Sequence, residues 1–326
     1  MKLNILLLTV IMSWPVYSLA LDVDQYPVLQ ELVSVMSSED GFPEGELREI
    51  ISSASIDQKT LQLMDKQWES LPWYKYRKIF INQNRIVMGV NFWTTFQKIL
   101  ERAEQEYGVS VEVIVALIGV ETHYGTRIGD KRVLDSLVTL SAAYPRRSKF
   151  FTSELRTFLN MTRVEGIEPG SVVGSFAGAI GIPQFMPTSY EAYSVDFNGN
   201  GQRDLVNETS DAIGSVANYL KVHGWKAGQG IYANVMGEVP ASASELVGRR
   251  AKLVHNRDDL VSAGINYDRS NASAKVALVS LTEEAGKRYV VGFRNFYAIT
   301  RYNPSVNYAM AVTELSEAIA QQQLSQ

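Results

Sequence analysis

Apolar residues recur at helical spacing through most of the first third of the chain. From about Gln25 to Tyr107 the stripes include Leu29, Leu32, Val33 and Met36, then Leu47, Ile50 and Ile51 after Pro43 in a first-turn position. The segment from Asn91 to Tyr107 carries Phe92, Phe96, Ile99, Leu100 and Ala103 and stops at Gly108, which predicts one helix with a glycine C-cap. Ser110 is placed to cap a new helix over 111–122. Two further helical stripes, Phe151, Leu155, Phe158 and Leu159 within 150–163 and Ile213, Val216, Ala217 and Leu220 within 210–223, are expected to pack around it. Between them, residues 174–187 are too rich in Gly and Pro for a continuous helix and predict a shaped loop. After Gly224 the pattern becomes short and β-branched at 252–255, 276–281 and 288–293, with a turn at 284–287, predicting a small antiparallel β unit. Helical spacing returns over 302–322 with Tyr308, Met310, Ala311, Leu315 and Ile319.

The chain has 326 residues, 46% of them hydrophobic and 20% charged, which is the make-up of a globular protein of two or three subdomains around a shared cleft. A net charge of −4 offers no basic footprint for nucleic acid. With no Cys, disulfides, thiol chemistry and a lipidated cysteine anchor are excluded, and the three scattered His have no zinc-site spacing. Any metal chemistry must use oxygen ligands. The start reads as a secretory signal: Lys2, an apolar run from Ile5 to Met12 too short to span a bilayer, and Ser18-Leu19-Ala20 as the cleavage site. The mature protein is therefore expected to be exported, soluble and monomeric, with no transmembrane segment and no organic cofactor.

Three features carry candidate chemistry. Ile114, Leu117, Ile118 and Glu121 share one helix face, so a carboxyl closes an apolar stripe. Desolvation there raises an acid's pKa, as a general acid for glycosidic cleavage requires, although a Glu pairing with Arg127 at a helix end reads the same way. The second is the loop 196–207, with Asp196, Asn198, Asn200, Gln202, Asp204 and Asn207 as oxygen donors and Gly201 at its sixth position, an EF-hand-like order. Asn207 replaces the bidentate Glu at position twelve, so calcium would be structural and weakly held, and a metal-free Asn/Gly turn is the alternative. The third is the density of rings, amides and guanidinium groups at Tyr144-Pro145-Arg146-Arg147, Gln184-Phe185, Tyr219 and Arg301-Tyr302-Asn303 with Tyr308, which suits a sugar polymer. Taken singly, rings at helical spacing are more often core, and the Arg pair alone reads as a solvated turn.

Together, Val120-Glu121-Thr122-His123-Tyr124-Gly125, Tyr144-Pro145-Arg146-Arg147, Gly174-Ser175-Phe176-Ala177-Gly178, Gly181-Ile182-Pro183-Gln184-Phe185-Met186-Pro187, the Asp196 loop, His223-Gly224-Trp225 and Asn295 to Asn303 resemble the lytic murein transglycosylase B family, glycoside hydrolase family 103, over nearly the whole mature chain. The resemblance implies a mainly α (α+β) fold: a lysozyme-like core, an additional helical domain and a small antiparallel β domain. The expected division is a signal at 1–20, a helical domain at 21–108 completed by a helix at about 304–326, the core at 109–226, and the β domain with a cleft-closing segment at 227–303. The resemblance further implies Glu121 as both acid and base, with Ser175, Gln184, Arg146, Arg147, Tyr302, Asn303 and Tyr308 binding substrate, and the ring density adds Tyr219 to these candidates. A relative's Tyr just downstream of the arginine pair is Phe150 here, so one phenolic hydroxyl is missing.

The reaction so implied cleaves the β-1,4 bond between N-acetylmuramic acid and N-acetylglucosamine in periplasmic peptidoglycan and leaves a 1,6-anhydro end, with glycan strands and other cell-wall enzymes as partners. A lysozyme-like hydrolase would need a base for water, for which Asp130, Asp135 and Glu154 are the candidates. A non-catalytic wall-binding protein and a calcium-regulated protein are the remaining alternatives.

Overall fold

The computed structural model describes residues 21–65 and 71–325; the expected signal segment lies outside them. The N-terminal half is helical: α1 (Pro27–Glu39), α2 (Glu44–Ser52), α3 (Gln58–Met64), α4 (Trp73–Phe80), α5 (Gln83–Thr95), α6 (Gln97–Tyr107) and α7 (Val111–Thr122). A two-residue strand β1 (Lys131–Arg132) precedes α8 (Val133–Ala143) and α9 (Ser148–Glu165), and pairs antiparallel with β2 (Val173–Gly174). After α10 (Pro187–Tyr193) and α11 (Thr209–Val222) come β3 (Tyr232–Met236), β4 (Val247–Gly248), β5 (His255–Asn256), α12 (Arg257–Ser262), β6 (Asn266–Tyr267), β7 (Lys275–Glu283) and β8 (Gly286–Gly292). Helices α13 (Arg294–Tyr302) and α14 (Val306–Gln323) close the chain.

Helix α7 is the axis of the molecule. Residues 113–120 are all buried, because α14, α5, α11 and α6 cover it. A helix that is apolar all round belongs at the centre of a fold. Gly119 lets the Tyr124 ring lie against it, for a Cβ there would stand 2.6 Å from the ring. Helix α14 returns from the C-terminus to pack on α4, α5 and α7, so the two ends of the chain share one core.

Strand alternation joins the sheet to this body. Ala277, Val279 and Leu281 of β7, with Val290 of β8, face the main core, whereas Val276, Leu278 and Val291 face a smaller cluster with Leu260, Ile265, Tyr267 and Phe293. The sheet order is β4-β7-β8-β3-β6, with β5 also on β7.

Four local expectations change. The helix expected over Asn91 to Tyr107 is broken at Phe96 (φ −108°, ψ 21°). Thr94 and Thr95 donate their hydroxyls to Val90 O (3.0 Å) and Asn91 O (2.7 Å), competing with the backbone ladder where it ends, while the apolar stripe runs on because both pieces bury on one body. Ser110 stands at the N-cap of α7 without a side-chain capping bond. Helix α9 packs chiefly on α8 and α10 rather than on α7. In the sheet, only His255 of the expected 252–255 is strand, opening β5, β3 was not anticipated, and β4 joins β7 in parallel, so the unit is mixed rather than wholly antiparallel.

Candidate active site

Glu121 lies in the last turn of α7, half-buried, where the chain leaves the core. The helix ends in three consecutive left-handed residues, His123 (φ 54°), Tyr124 (φ 61°) and Gly125 (φ 81°). Two of them are not glycine, a conformation that must be held by its surroundings. Thr122 Oγ1 donates to Ile182 O (2.8 Å) and accepts from Gly125 N (3.0 Å), while Tyr124 Oη donates to Arg85 O (2.8 Å). The buried Arg85 guanidinium donates to Gly119 O, so α5 clamps the end of the helix that carries Glu121.

The phenol of Tyr308, from the first turn of α14, donates to Glu121 Oε1. Burial and the Glu121 charge both disfavour a phenolate and hold the Tyr308 and Tyr302 hydroxyls well above their ordinary pKa, so they remain donors. Tyr302 Oη donates to Pro183 O, and its ring lies 6.5 Å from Tyr308 and 4.6 Å from Tyr219. Tyr219 donates to Arg301 O (2.6 Å) and stacks on His223 at 4.1 Å, with Phe185 5.5 Å away. The result is a wall of rings ending at one carboxyl. His223 and His123 are both pushed below the ordinary imidazole range, first by burial, so both are neutral at pH 7.

Ser175 and Gln184 lie on the 174–187 loop, which short antiparallel bridges at Gly174–Ile180 and Ile180–Phe185 fold onto itself. Ser175 Oγ accepts from Ala179 N (3.0 Å), which leaves its hydroxyl hydrogen to donate. Gln184, at φ 51°, donates Nε2 to Ile128 O and Gly181 O (both 3.0 Å), which leaves its side-chain carbonyl as an acceptor. Asn303 ends α13 and accepts from Ser305 N (3.1 Å) at the corner leading into Tyr308. Arg146 and Arg147 occupy a 3-10 turn between α8 and α9: Arg146 is exposed beside Asp65 (3.7 Å), and the Arg147 guanidinium lies over Phe150 at 4.2 Å and Phe151 at 5.1 Å. Phe150 thus serves as a stacking surface for Arg147. Glu121, Tyr308, Tyr302 and Tyr219 form one connected cluster, the amides and Ser175 adjoin it in sequence and loop, and the Arg pair sits on the α8–α9 corner.

Two of the three acids that could have served a hydrolase are otherwise engaged. Asp135 pairs with Arg132 (3.3 Å) and accepts from Ser55 N (3.1 Å). Glu154 is buried and accepts from Thr188 N (2.9 Å) and Oγ1 (2.7 Å) at the start of α10. Asp130 is exposed beside Lys131.

In loop 196–207, Asp196 accepts from Gly199 N (2.7 Å), Asn200 N (3.1 Å) and Gly201 N (2.7 Å), bonds that hold its carboxyl below the usual range. Asn198 accepts from Asn200 N (3.0 Å), Asn200 from Gln202 N (2.9 Å), and Asp204 from Val206 N and Asn207 N (both 2.9 Å). Asp211, fully buried in the first turn of α11, was missed by the sequence reading: it accepts from Phe197 N (2.9 Å), Asn198 N (3.2 Å) and Asp204 N (3.0 Å), gathering both arms of the loop. A carboxylate at the start of an otherwise apolar helix face was its signal, as an Arg amid apolar residues was for Arg85. Among the described residues no group of three or more His, Cys, Asp or Glu could hold a metal, so beyond its two carboxylates the loop depends on amide and backbone oxygens.

A half-buried carboxyl that ends a core helix and meets a buried phenol beside a cluster of rings fits a glycan-cleaving enzyme of the lysozyme-like class. The chain matches the family described as Transglycosylase SLT domain over residues 24–317. It is 41% identical over 305 residues to membrane-bound lytic murein transglycosylase B of Escherichia coli K12, covering 90% of this chain and 83% of that protein. Its fold matches the E. coli lytic transglycosylase Slt35 in complex with calcium at a TM-score of 0.85 and 41% identity, covering 94% of this chain and 96% of that one. It also matches SltB3 of Pseudomonas aeruginosa in complex with NAG-NAM-pentapeptide at 0.78 and 27% identity, covering 92% and 80%. The chain belongs to the lytic murein transglycosylase B family and is a peptidoglycan lytic transglycosylase.

Proposed function

We propose that Glu121 serves in turn as the acid and the base of the reaction. Its proton passes to the glycosidic oxygen as the bond from that oxygen to C1 of N-acetylmuramic acid breaks. Oxocarbenium character grows at C1, and the N-acetyl oxygen assists in place of a second carboxylate. The C6 hydroxyl of the same sugar then attacks C1 and gives its proton to Glu121, closing the 1,6-anhydro ring without consuming water. Intramolecular attack gains from proximity, which Ser175, Gln184 and Asn303 supply by holding the N-acetyl group and ring. Tyr219, Tyr302 and the Arg146–Arg147 pair bind the strand. The observation that carries the reading is the Tyr308 donor on Glu121, with Asp135 and Glu154 committed to structural bonds. Glu121→Gln should abolish release of anhydro muropeptides, read by mass spectrometry, with an unchanged melting temperature; retained turnover removes Glu121 from this role.

By analogy with the relative bound to NAG-NAM-pentapeptide, the substrate here is a glycan strand that carries stem peptides. Residues 1–20 direct export to the periplasm, and among the described residues no helix is long and apolar enough to cross a membrane. The functional units in this reading are 21–108 with 304–326, the core at 109–226, and 227–303. Calcium fits the loop's chemistry: all donors are oxygens, Gly199 and Gly201 take left-handed turns, and Asp211 holds the arms together. Asp196, Asn198, Asn200, Asn207 and the Gln202 carbonyl would hold it, and it would brace the loop rather than enter the reaction. Calcium should raise the melting temperature through binding to the folded state, and an Asp196→Ala protein that keeps the full shift would exclude the loop.

A further inference from the structure

A groove of about 830 Å³ opens at the corner between α13 and α14, lined by Ser280, Thr282 and Lys287 of the β7–β8 pair, Arg249 and Arg250 after β4, and Asn303. Lys287 stands opposite Thr282 in the ladder, so both belong to the same face of the sheet. Arg249 and Arg250 also line an adjoining hollow of about 310 Å³ with Lys252.

Several neighbouring cations are engaged. Arg288 is paired with Glu314 (2.7 Å), Arg257 with Asp258 (3.7 Å), and Arg294 donates to Gly224 O (3.0 Å). Arg249, Arg250, Lys252 and Lys287 are exposed and, among the described residues, have neither an ion pair nor a side-chain hydrogen bond. Residues 227–303 hold ten Lys and Arg against seven Asp and Glu, a local charge of +3 in a chain of net −4. Like charges gathered in a concave surface without partners repel one another and focus a positive potential outward. That arrangement is stabilised by an anion.

Position selects the anion. Asn303 faces the groove directly after Tyr302, and the same corner, through the Ser305 cap on Tyr308 N (3.3 Å), carries the phenol that meets Glu121. The groove therefore adjoins the corner that places Tyr308 on Glu121, and a ligand in it lies next to a strand held there. An extended peptide of five residues reaches roughly 17 Å, enough to leave the sugar and follow the groove, and its carboxylates match guanidinium forks. We propose that Arg249, Arg250 and Lys287 bind the stem-peptide carboxylates of the strand held at Glu121. This rests on the reading of the cleft given above.

The test compares kcat and KM of wild type and an Arg249→Gln/Arg250→Gln/Lys287→Gln variant on three substrates: peptide-bearing strands, the same strands with stem carboxylates amidated, and strands stripped of peptide by an amidase. The variant should raise KM about tenfold on peptide-bearing strands, keep kcat, and match wild type on stripped strands, which also shows that it folds. Wild type on amidated stems should show the same rise in KM, and salt should weaken its preference for native stems as it screens the charges. An unchanged KM on peptide-bearing strands, an equal rise on stripped strands, or indifference to amidation overturns the proposal. Turnover that survived Glu121→Gln would instead overturn the reading of the cleft, and is scored by product release rather than KM.

Discussion

Removing one oxygen atom from Tyr308 isolates what the buried phenol does for Glu121. Tyr308 is 3% exposed and its hydroxyl donates to Glu121 Oε1, so Tyr308→Phe keeps the ring's packing and deletes only the donor. In the bond-breaking step the Glu121 proton leaves and negative charge grows on the carboxylate, so the bond strengthens toward the transition state. A hydrogen bond to a charged group contributes about 1.5–3 kcal/mol, and each 1.36 kcal/mol is tenfold in rate, so kcat should fall about 10- to 150-fold. Because burial and the Glu121 charge hold the phenol well above its ordinary pKa, the donor is present throughout the working range, and the loss should be nearly constant from about pH 5 to 9. The assay is the initial rate of anhydro-muropeptide release at saturating strand concentration, with the melting temperature as a control. A kcat within twofold of wild type would refute the reasoning.

Asp211→Ala strands three amides, the buried one of Phe197 and the part-buried ones of Asn198 and Asp204, and should cost about 3 kcal/mol, seen as a fall of roughly 6–12 °C in melting temperature together with a smaller calcium shift; a fall under about 2 °C would show that the loop holds itself. At Glu154 burial pushes the carboxyl above its ordinary range despite two donations from Thr188 and the nearby Arg147 charge. The folded state therefore binds the proton more tightly than the unfolded state, and this contribution to stability is full below the ordinary carboxylate pKa and lost as pH rises through the folded value. Glu154→Gln, which keeps an acceptor for Thr188 N, should gain on wild type in urea unfolding between pH 4 and 7; the opposite trend would contradict the sign.

Several elements were legible because one residue type at one spacing admits few structures. Gly108 ends α6 in the left-handed conformation its position announced, and most of the Gly/Pro-rich run, from Ser175 to Met186, is a loop between β2 and α10. The apolar stripes mark α1, α9, α11 and α14, since a 3.6-residue period leaves a visible seam wherever one face meets solvent. The break at Phe96 was not legible, because the stripe crosses it and the competing threonine hydroxyls look like ordinary surface residues. Nor was β3, whose residues are half-buried or exposed, none of them fully buried, and gain their pairing only from β8 and β6. Asp211 and Arg85 were passed over because a charged residue becomes a buried clamp only when its partners converge on it.

The sequence by itself determined the helical core, the loop that could wrap a hard cation, and Glu121 as the acid to follow, because periodicity, glycine placement and motif order are local properties of the chain. Tertiary structure alone decided what Glu121 meets. It brought Tyr308 from 187 positions away onto the carboxyl, committed Glu154 and Asp135 to other bonds, and set unpaired Arg249, Arg250 and Lys287 in a groove at the corner between α13 and α14. Hydrogen bonds and electrostatic fields depend on distance in space, and sequence separation carries almost no information about that distance until the core has packed.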